Sequence, residues 1–230
     1  MVDPRLERLD SVRGRLSSAC RRAGRDPGDV TLVAVSKRQP LEALEALYDL
    51  GLRDFGESWI QAWRERVDAL GGGRGLRWHL IGPVQTNKAK YIAKAPPALL
   101  HTVDRPALVG ALAKRLDPAC PLPCLLQVNI DREPQKAGAL PEELDALADL
   151  VAATPALTLR GVMCIPRAAP PEASRPAFAR TRALAEAVGD RIEGGPPAIS
   201  MGMSGDFDVA IEEGATLVRV GTALFGPRAY

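Results

Sequence analysis

TLVAVSK, residues Thr31 to Lys37, is a run of β-branched and small apolar residues that ends on a lysine. It is too short for an isolated helix, and its composition is that of a strand buried on both faces. Pro40 follows, and then an amphipathic stretch from Leu41 to Leu50 whose apolar residues return at helical spacing. The same alternation repeats along the chain. Asp54 to Glu57, Arg77 to Gly82, Leu99 to Asp104, Pro123 to Ile130, Thr158 to Ile165, Ala198 to Ser204 and Thr216 to Phe225 read as strands. Helical patterns lie between them at Ser58 to Leu70, Thr86 to Lys94, Pro106 to Leu116, Pro141 to Ala153, Pro171 to Val188 and Asp206 to Glu213. Eight such strands predict a single α/β domain, a (β/α)8 TIM barrel spanning residues 1–230. Asp3 to Ala23 reads as an extra N-terminal helix, with Leu6, Leu9, Val12 and Leu16 as the face that packs on the barrel and closes one end. Gly71 to Gly75 and Ala168 to Ser174 read as loops.

Composition excludes several functions. Thirty basic residues against 28 acidic ones leave a net charge of +2 and no basic stripe, which argues against nucleic acid as a partner. No apolar run reaches the length of a membrane span, and the N-terminus lacks the apolar core of a signal peptide, so a cytoplasmic location is expected. Cys20, Cys120, Cys124 and Cys164 include no CxxC pair, and with only His79 and His101 beside them no metal site is expected. The cysteines read as ordinary thiols of a reducing compartment.

In a barrel of this kind the chemistry sits where the strands end at their C-terminal side. Alternation places Thr31, Val33, Val35 and Lys37 on one face, and if that face is the interior, the Lys37 amine emerges at the mouth. Partial burial there would favour the neutral amine that a Schiff base requires; the plain alternative is a solvated surface lysine. The loops after the last two strands, where such barrels frequently hold phosphate, read MGMSGD (Met201 to Asp206) and VGTALFG (Val220 to Gly226). Gly205, Gly221 and Gly226 would let backbone N–H groups approach an anion, and Ser204 and Thr222 add hydroxyls. Ser204 can equally be the N-cap of the following helix, and Asp206 would repel an anion. Arg219, two residues before Gly221 in an apolar strand, falls inside the barrel. It must be paired there, either with a carboxylate such as Asp104 or Glu57 or with a bound group.

Nine segments carry a resemblance to a known family: VAVSK (Val33 to Lys37), FGES (Phe55 to Ser58), RWHLIGPVQTNK (Arg77 to Lys88), TVDR (Thr102 to Arg105), QVNI (Gln127 to Ile130), KAG (Lys136 to Gly138), GVMCIP (Gly161 to Pro166), SMGMSGD (Ser200 to Asp206) and VRVGTALFG (Val218 to Gly226). In these the chain resembles the YggS/PROSC family of pyridoxal 5′-phosphate (PLP) homeostasis proteins, whose barrel is similar to the N-terminal domain of alanine racemase. The resemblance implies that PLP is the cofactor, held as a Schiff base on Lys37. It further implies that Ser204, Gly205, Gly221 and Thr222 lie in phosphate-binding motifs and that Arg219 sits near the cofactor ring. Ser58 stands where the family more often has Asn, and Trp59 where Tyr is commoner. His79, Gln85 and Asn87 read either as cap and packing residues or as cofactor contacts.

Two functions are compatible with this. The first is a monomeric carrier that buffers PLP inside the cell and delivers it to apo-enzymes that depend on it, without robust catalysis. An always-charged Arg219 at the pyridine nitrogen would make the ring a poor electron sink. The barrel-type racemases also complete their acid/base pair with a second, β-rich domain and a partner's tyrosine, and the last predicted strand lies close to Tyr230. The second is a weak PLP-dependent amino-acid racemase; a Schiff-base aldolase would also use a barrel lysine beside a phosphate site.

Overall fold

The computed structural model describes residues 4–70 and 74–226; Asp3 and the start of the Gly71 to Gly75 loop lie outside them. Its strands are β1 (Thr31–Val35), β2 (Asp54–Glu57), β3 (Arg77–Leu80), β4 (Leu99–Val103), β5 (Leu122–Val128), β6 (Leu157–Cys164), β7 (Ala198–Met203) and β8 (Leu217–Val220). Each pairs in parallel with the next, and β8 returns to β1 through Thr31↔Leu217 and Val33↔Arg219, which closes the barrel. The helices are α1 (Pro4–Arg22), α2 (Leu41–Asp49), α3 (Ile60–Leu70), α4 (Ala89–Lys94), α5 (Pro106–Ala113), α6 (Leu144–Ala152), α7 (Arg175–Ala187), α8 (Phe207–Glu212) and α9 (Thr222–Phe225). A single 3-10 turn opens the way into α4, α6 and α7, and Pro141 and Pro171 begin the latter two because a missing N–H is harmless at that position.

The barrel separates two cores. The larger lies between the strands and the helical ring and includes Ala34, Phe55, Leu80, Leu100 and Val162. The smaller, inside the barrel, is made of Val33, Leu99, Leu125, Met163 and Leu217. Gly56 belongs to the inner face, where a Cβ would stand 3.0 Å from Val33 Cγ1. On β6, Gly161 has φ of +148°, and a Cβ there would sit 1.9 Å from the Ala198 carbonyl oxygen. The β5–β6 register shifts at this glycine, so it acts as the corner that lets the sheet curve.

Three expectations need correction. β8 ends at Val220, and Thr222–Phe225 is a turn of helix, because Gly221 leaves the extended region with φ −114° and ψ −81°. β1 likewise ends at Val35, so Lys37 stands in the turn just beyond it. The N-terminal helix does not close an end of the barrel. It packs against α8, α9 and α2 in the outer ring, over the seam where β8 meets β1. Leu9, Val12 and Leu16 are its buried face, as their spacing predicted, whereas Leu6 is only half-buried.

Cys20, Cys124 and Cys164 are buried and free, and Cys120 is exposed. Burial pushes the Cys124 thiol up to about 12 and Cys164 up to about 11, so both stay protonated and inert. Among the described residues no cluster suits a metal ion, and no helix is long and apolar enough to cross a membrane. Leu9 is fully buried between α1 and the barrel's helices. Leu9→Ala is expected to lose roughly 2–5 kcal/mol in urea denaturation, with the m-value unchanged.

Candidate active site at the barrel mouth

A cavity of about 370 Å³ opens at the C-terminal ends of the strands and is lined by Lys37, Ser204, Gly205, Arg219, Gly221 and Thr222. All six residues singled out from the sequence meet in it. Val35, Gln39, Ser58, Ile81, Ile165 and Met203 complete the wall. Lys37 is half-buried, and among the described residues no hydrogen bond or ion pair holds its amine.

The turn that carries Lys37 is pinned from behind. Ser36 is fully buried; its Oγ donates to Glu57 Oε1 at 2.8 Å, and its backbone N–H donates to the Gly56 carbonyl at 3.0 Å. Arg66 on α3 lies 3.1 Å from the same Glu57 oxygen, and its Nη2 donates to the Gln39 carbonyl at 2.8 Å. One buried carboxylate and one arginine thus hold the turn at both ends, on the outer face of β2. Arg38 beside Lys37 has φ of +60°, a strained conformation that this bracing maintains.

On the opposite wall two backbone donors converge. The N–H groups of Gly221 and Ala223 donate to Ser204 Oγ at 3.2 and 3.3 Å, so the hydroxyl oxygen sits where an anion's oxygen would accept from both. Ser204 therefore does not cap α8. The Asp206 carboxylate accepts the Met203 N–H at 2.7 Å, which turns it into its own loop. Gly226 is not part of the wall. Its φ of +89° ends α9, and a Cβ would stand 3.0 Å from the Arg8 guanidinium. The two loops are buttressed by α1: Arg15 donates to the Ser204 carbonyl, pairs with Asp208 and lies 4.2 Å from the centre of the Phe207 ring, while Arg8 donates to the Phe225 carbonyl.

Arg219 is buried and contacts neither Asp104 nor Glu57. Asp104 pairs with Arg105, and Glu57 faces Ser36 and Arg66. The guanidinium instead donates from Nη1 to Ser200 Oγ at 2.7 Å and from Nη2 to the Cys164 carbonyl at 2.8 Å. Burial lowers its pKa from the ordinary arginine value, yet that value is high enough for the charge to persist. Ser58 lines the cavity, whereas Gln85 and Asn87 are exposed away from it and His79 lies inside the barrel. Gln85 lines a neighbouring groove with Trp59 and Tyr91.

The model of the alanine racemase N-terminal domain matches residues 8–229. A pyridoxal phosphate homeostasis protein of Pseudomonas aeruginosa is 43% identical over 226 residues, covering 97% of this chain and 96% of its own. The chain belongs to the pyridoxal phosphate homeostasis protein family. The Escherichia coli member is 40% identical over 227 residues, with 96% of each chain covered. Among solved structures, PipY of Synechococcus elongatus with PLP bound superposes with a TM-score of 0.79 at 32% identity, over 94% of this chain and all of that one. The same protein without PLP gives 0.84 at 33% identity, over 96% and 99%. An alanine racemase of Corynebacterium glutamicum, 20% identical, gives 0.65 over 96% of this chain and 62% of that one, a likeness of fold.

The donor set suits the family's cofactor: an amine without a partner among the described residues, the Gly221 N–H that converges with that of Ala223 on Ser204 Oγ, and a buried guanidinium meet at one cavity of small-molecule size. Sequence reading missed the residues behind it, namely Ser36, Arg66, His101 and Ser200. His101 and Ser200 were detectable as polar interruptions of apolar strands; Arg66 carried no local signal.

Two outcomes follow. Glu57→Ala leaves Arg66 without its buried partner and is expected to cost roughly 3–5 kcal/mol in urea denaturation. The second concerns pH. Burial, with the nearby His79 and Arg219, holds the His101 imidazole well below its ordinary 6.5. Below pH 6.5 the unfolded chain gains a proton that the folded ring refuses, so stability falls as pH drops. The native protein is expected to lose up to about 1.4 kcal/mol per pH unit more than His101→Gln between pH 6.5 and 5.5.

Proposed function

We propose that this protein binds PLP in the barrel-mouth cavity, linked covalently to Lys37, and acts in the homeostasis of that cofactor as an intracellular carrier. Residues 1–230 form one PLP-binding domain, working as a cytoplasmic monomer that buffers PLP and hands it to apo-enzymes. The observation that carries this reading is the convergence of Lys37, Ser204, Gly205, Arg219, Gly221 and Thr222 on one cavity, in a chain whose relatives are named for PLP homeostasis.

The roles follow from the chemistry of each group. Lys37 bonds to the aldehyde carbon as a Schiff base with loss of one water, and the bond reverses by hydrolysis. Gly221 and Ala223 N–H groups take the phosphate once the Ser204 hydroxyl swings from acceptor to donor; Gly205 and Thr222 complete that wall. Arg219 faces the ring nitrogen and, as a permanent cation, disfavours its protonation. When bound, PLP supplies an electron sink, which this pairing weakens.

Carriage is favoured over racemisation by what else lines the cavity. Among the described lining residues Lys37 and Arg219 are the only ionisable ones. Racemisation requires a proton-moving group on each face of the substrate, and an arginine is a poor candidate for the second.

The purified protein incubated with PLP is expected to absorb near roughly 420 nm, and Lys37→Ala is expected to lose the band while keeping its far-ultraviolet circular dichroism. Loaded protein should then restore activity to an apo-enzyme. No band at saturating PLP would overturn the cofactor assignment, and sustained racemisation of L-amino acids would overturn the carrier assignment.

A further inference from the structure

The small inner core of the barrel is interrupted by a chain of polar groups that crosses the interior from its floor to the cavity. At the floor, Arg77 Nε donates to Asp54 Oδ1 at 2.8 Å, and His79 Nε2 lies 3.0 Å from the same oxygen. His79 Nδ1 is 2.9 Å from His101 Nε2, and His101 Nδ1 is 2.9 Å from Ser200 Oγ. Arg219 Nη1 reaches that hydroxyl at 2.7 Å. Asp54, His79, His101, Ser200 and Arg219 are all buried.

The two ends settle where each proton lies. A guanidinium only donates, so Ser200 Oγ accepts from Arg219 and keeps its own hydrogen available for His101 Nδ1. At the other end, burial would raise the Asp54 carboxyl, but hydrogen bonds from His79 and Arg77 outweigh it and hold the group ionised. An ionised carboxylate only accepts, so His79 Nε2 carries a hydrogen. With neutral rings, His79 Nδ1 is then bare and must accept from His101 Nε2–H, which leaves His101 Nδ1 bare to receive the serine hydrogen. Among the arrangements with both rings neutral, one satisfies every group, with both imidazoles in the Nε2–H form. Reversing either ring sets two hydrogens or two lone pairs face to face, which in a dry interior costs on the order of a full desolvated hydrogen bond.

We propose that Asp54, His79, His101 and Ser200 form a one-directional hydrogen-bond relay that orients the Arg219 guanidinium, making His101 and Ser200 positioning residues for the group that meets the cofactor ring. Ser200 and the Cys164 carbonyl hold the two terminal nitrogens of Arg219 from the protein side, and its remaining N–H groups are left for the cavity it lines. The consequence for the ring rests on PLP being the ligand of that cavity; the relay itself does not.

The chain contains two histidines, so its imidazole signals separate readily. Long-range proton–nitrogen correlation spectra of the cofactor-free protein at pH 7 are expected to show both rings neutral and in the Nε2–H form. An Nδ1–H form at His101, or a charged ring, overturns the relay whether or not PLP binds. Ser200→Ala cuts the link between His101 and Arg219 and leaves the rest of the chain in place. With PLP it is expected to bind about three- to tenfold more weakly, the loss of one hydrogen bond, and to show a displaced visible band while its melting profile stays cooperative. Affinity and band both matching the native protein would overturn the positioning role. Absence of a band in the native protein instead strikes the cofactor assignment and leaves the tautomer result to decide the relay.

Discussion

A permanently charged side chain sits inside this barrel, and much of the interior is arranged around it. Moving the Arg219 guanidinium out of water is unfavourable by several kcal/mol unless its hydrogens find acceptors. No carboxylate meets it directly. A serine hydroxyl and a main-chain carbonyl do, and from the serine a line of hydrogen bonds continues through two imidazoles to Asp54, whose own charge is paired with Arg77. The usual filling of such barrels by layers of branched aliphatic residues is therefore divided. Val33, Leu99, Leu125, Met163 and Leu217 make up its aliphatic part, and β2, β3, β4, β7 and β8 supply the polar groups that interrupt it.

Around that interior the loops are braced from outside. The Lys37 turn rests on Glu57 and Arg66, and the loops after β7 and β8 rest on Arg15 and Arg8 of the N-terminal helix. An added helix over the β8–β1 seam is thus more than cover for apolar surface: it reaches the backbone of the two loops that form the anion-binding wall. Rigid support of this kind lets backbone N–H groups stay convergent without a ligand, with Ser204 as their provisional acceptor.

Much of this was legible in advance for local reasons. The eight strands were readable because buried parallel strands are short apolar runs bounded by turn residues. Lys37, Ser204, Gly205, Arg219, Gly221 and Thr222 were found because this fold places chemistry at strand ends, so a position in a strand is also a position in the site. The misreadings share one cause. VGTALF is apolar enough to continue a strand, and only the turn at Gly221 shows that it becomes helix. Gly226 resembles an anion-binding glycine in sequence but ends that helix against Arg8. The amphipathic N-terminal helix declares its buried face but not which surface it covers.

The order of strands and helices, most of the buried face of the N-terminal helix and the set of residues at the mouth were determined by sequence alone, because they depend on periodicity and on fold-wide rules about strand ends. Which groups pair across the barrel was decided only by the tertiary structure. Arg219 lies 19 residues from Ser200, His101 lies 99 from it, and Asp54 lies 25 from His79. Such partners are brought together by barrel closure and register, and a hydrogen bond's direction depends on the last ångström of that geometry, on which local patterning carries no information.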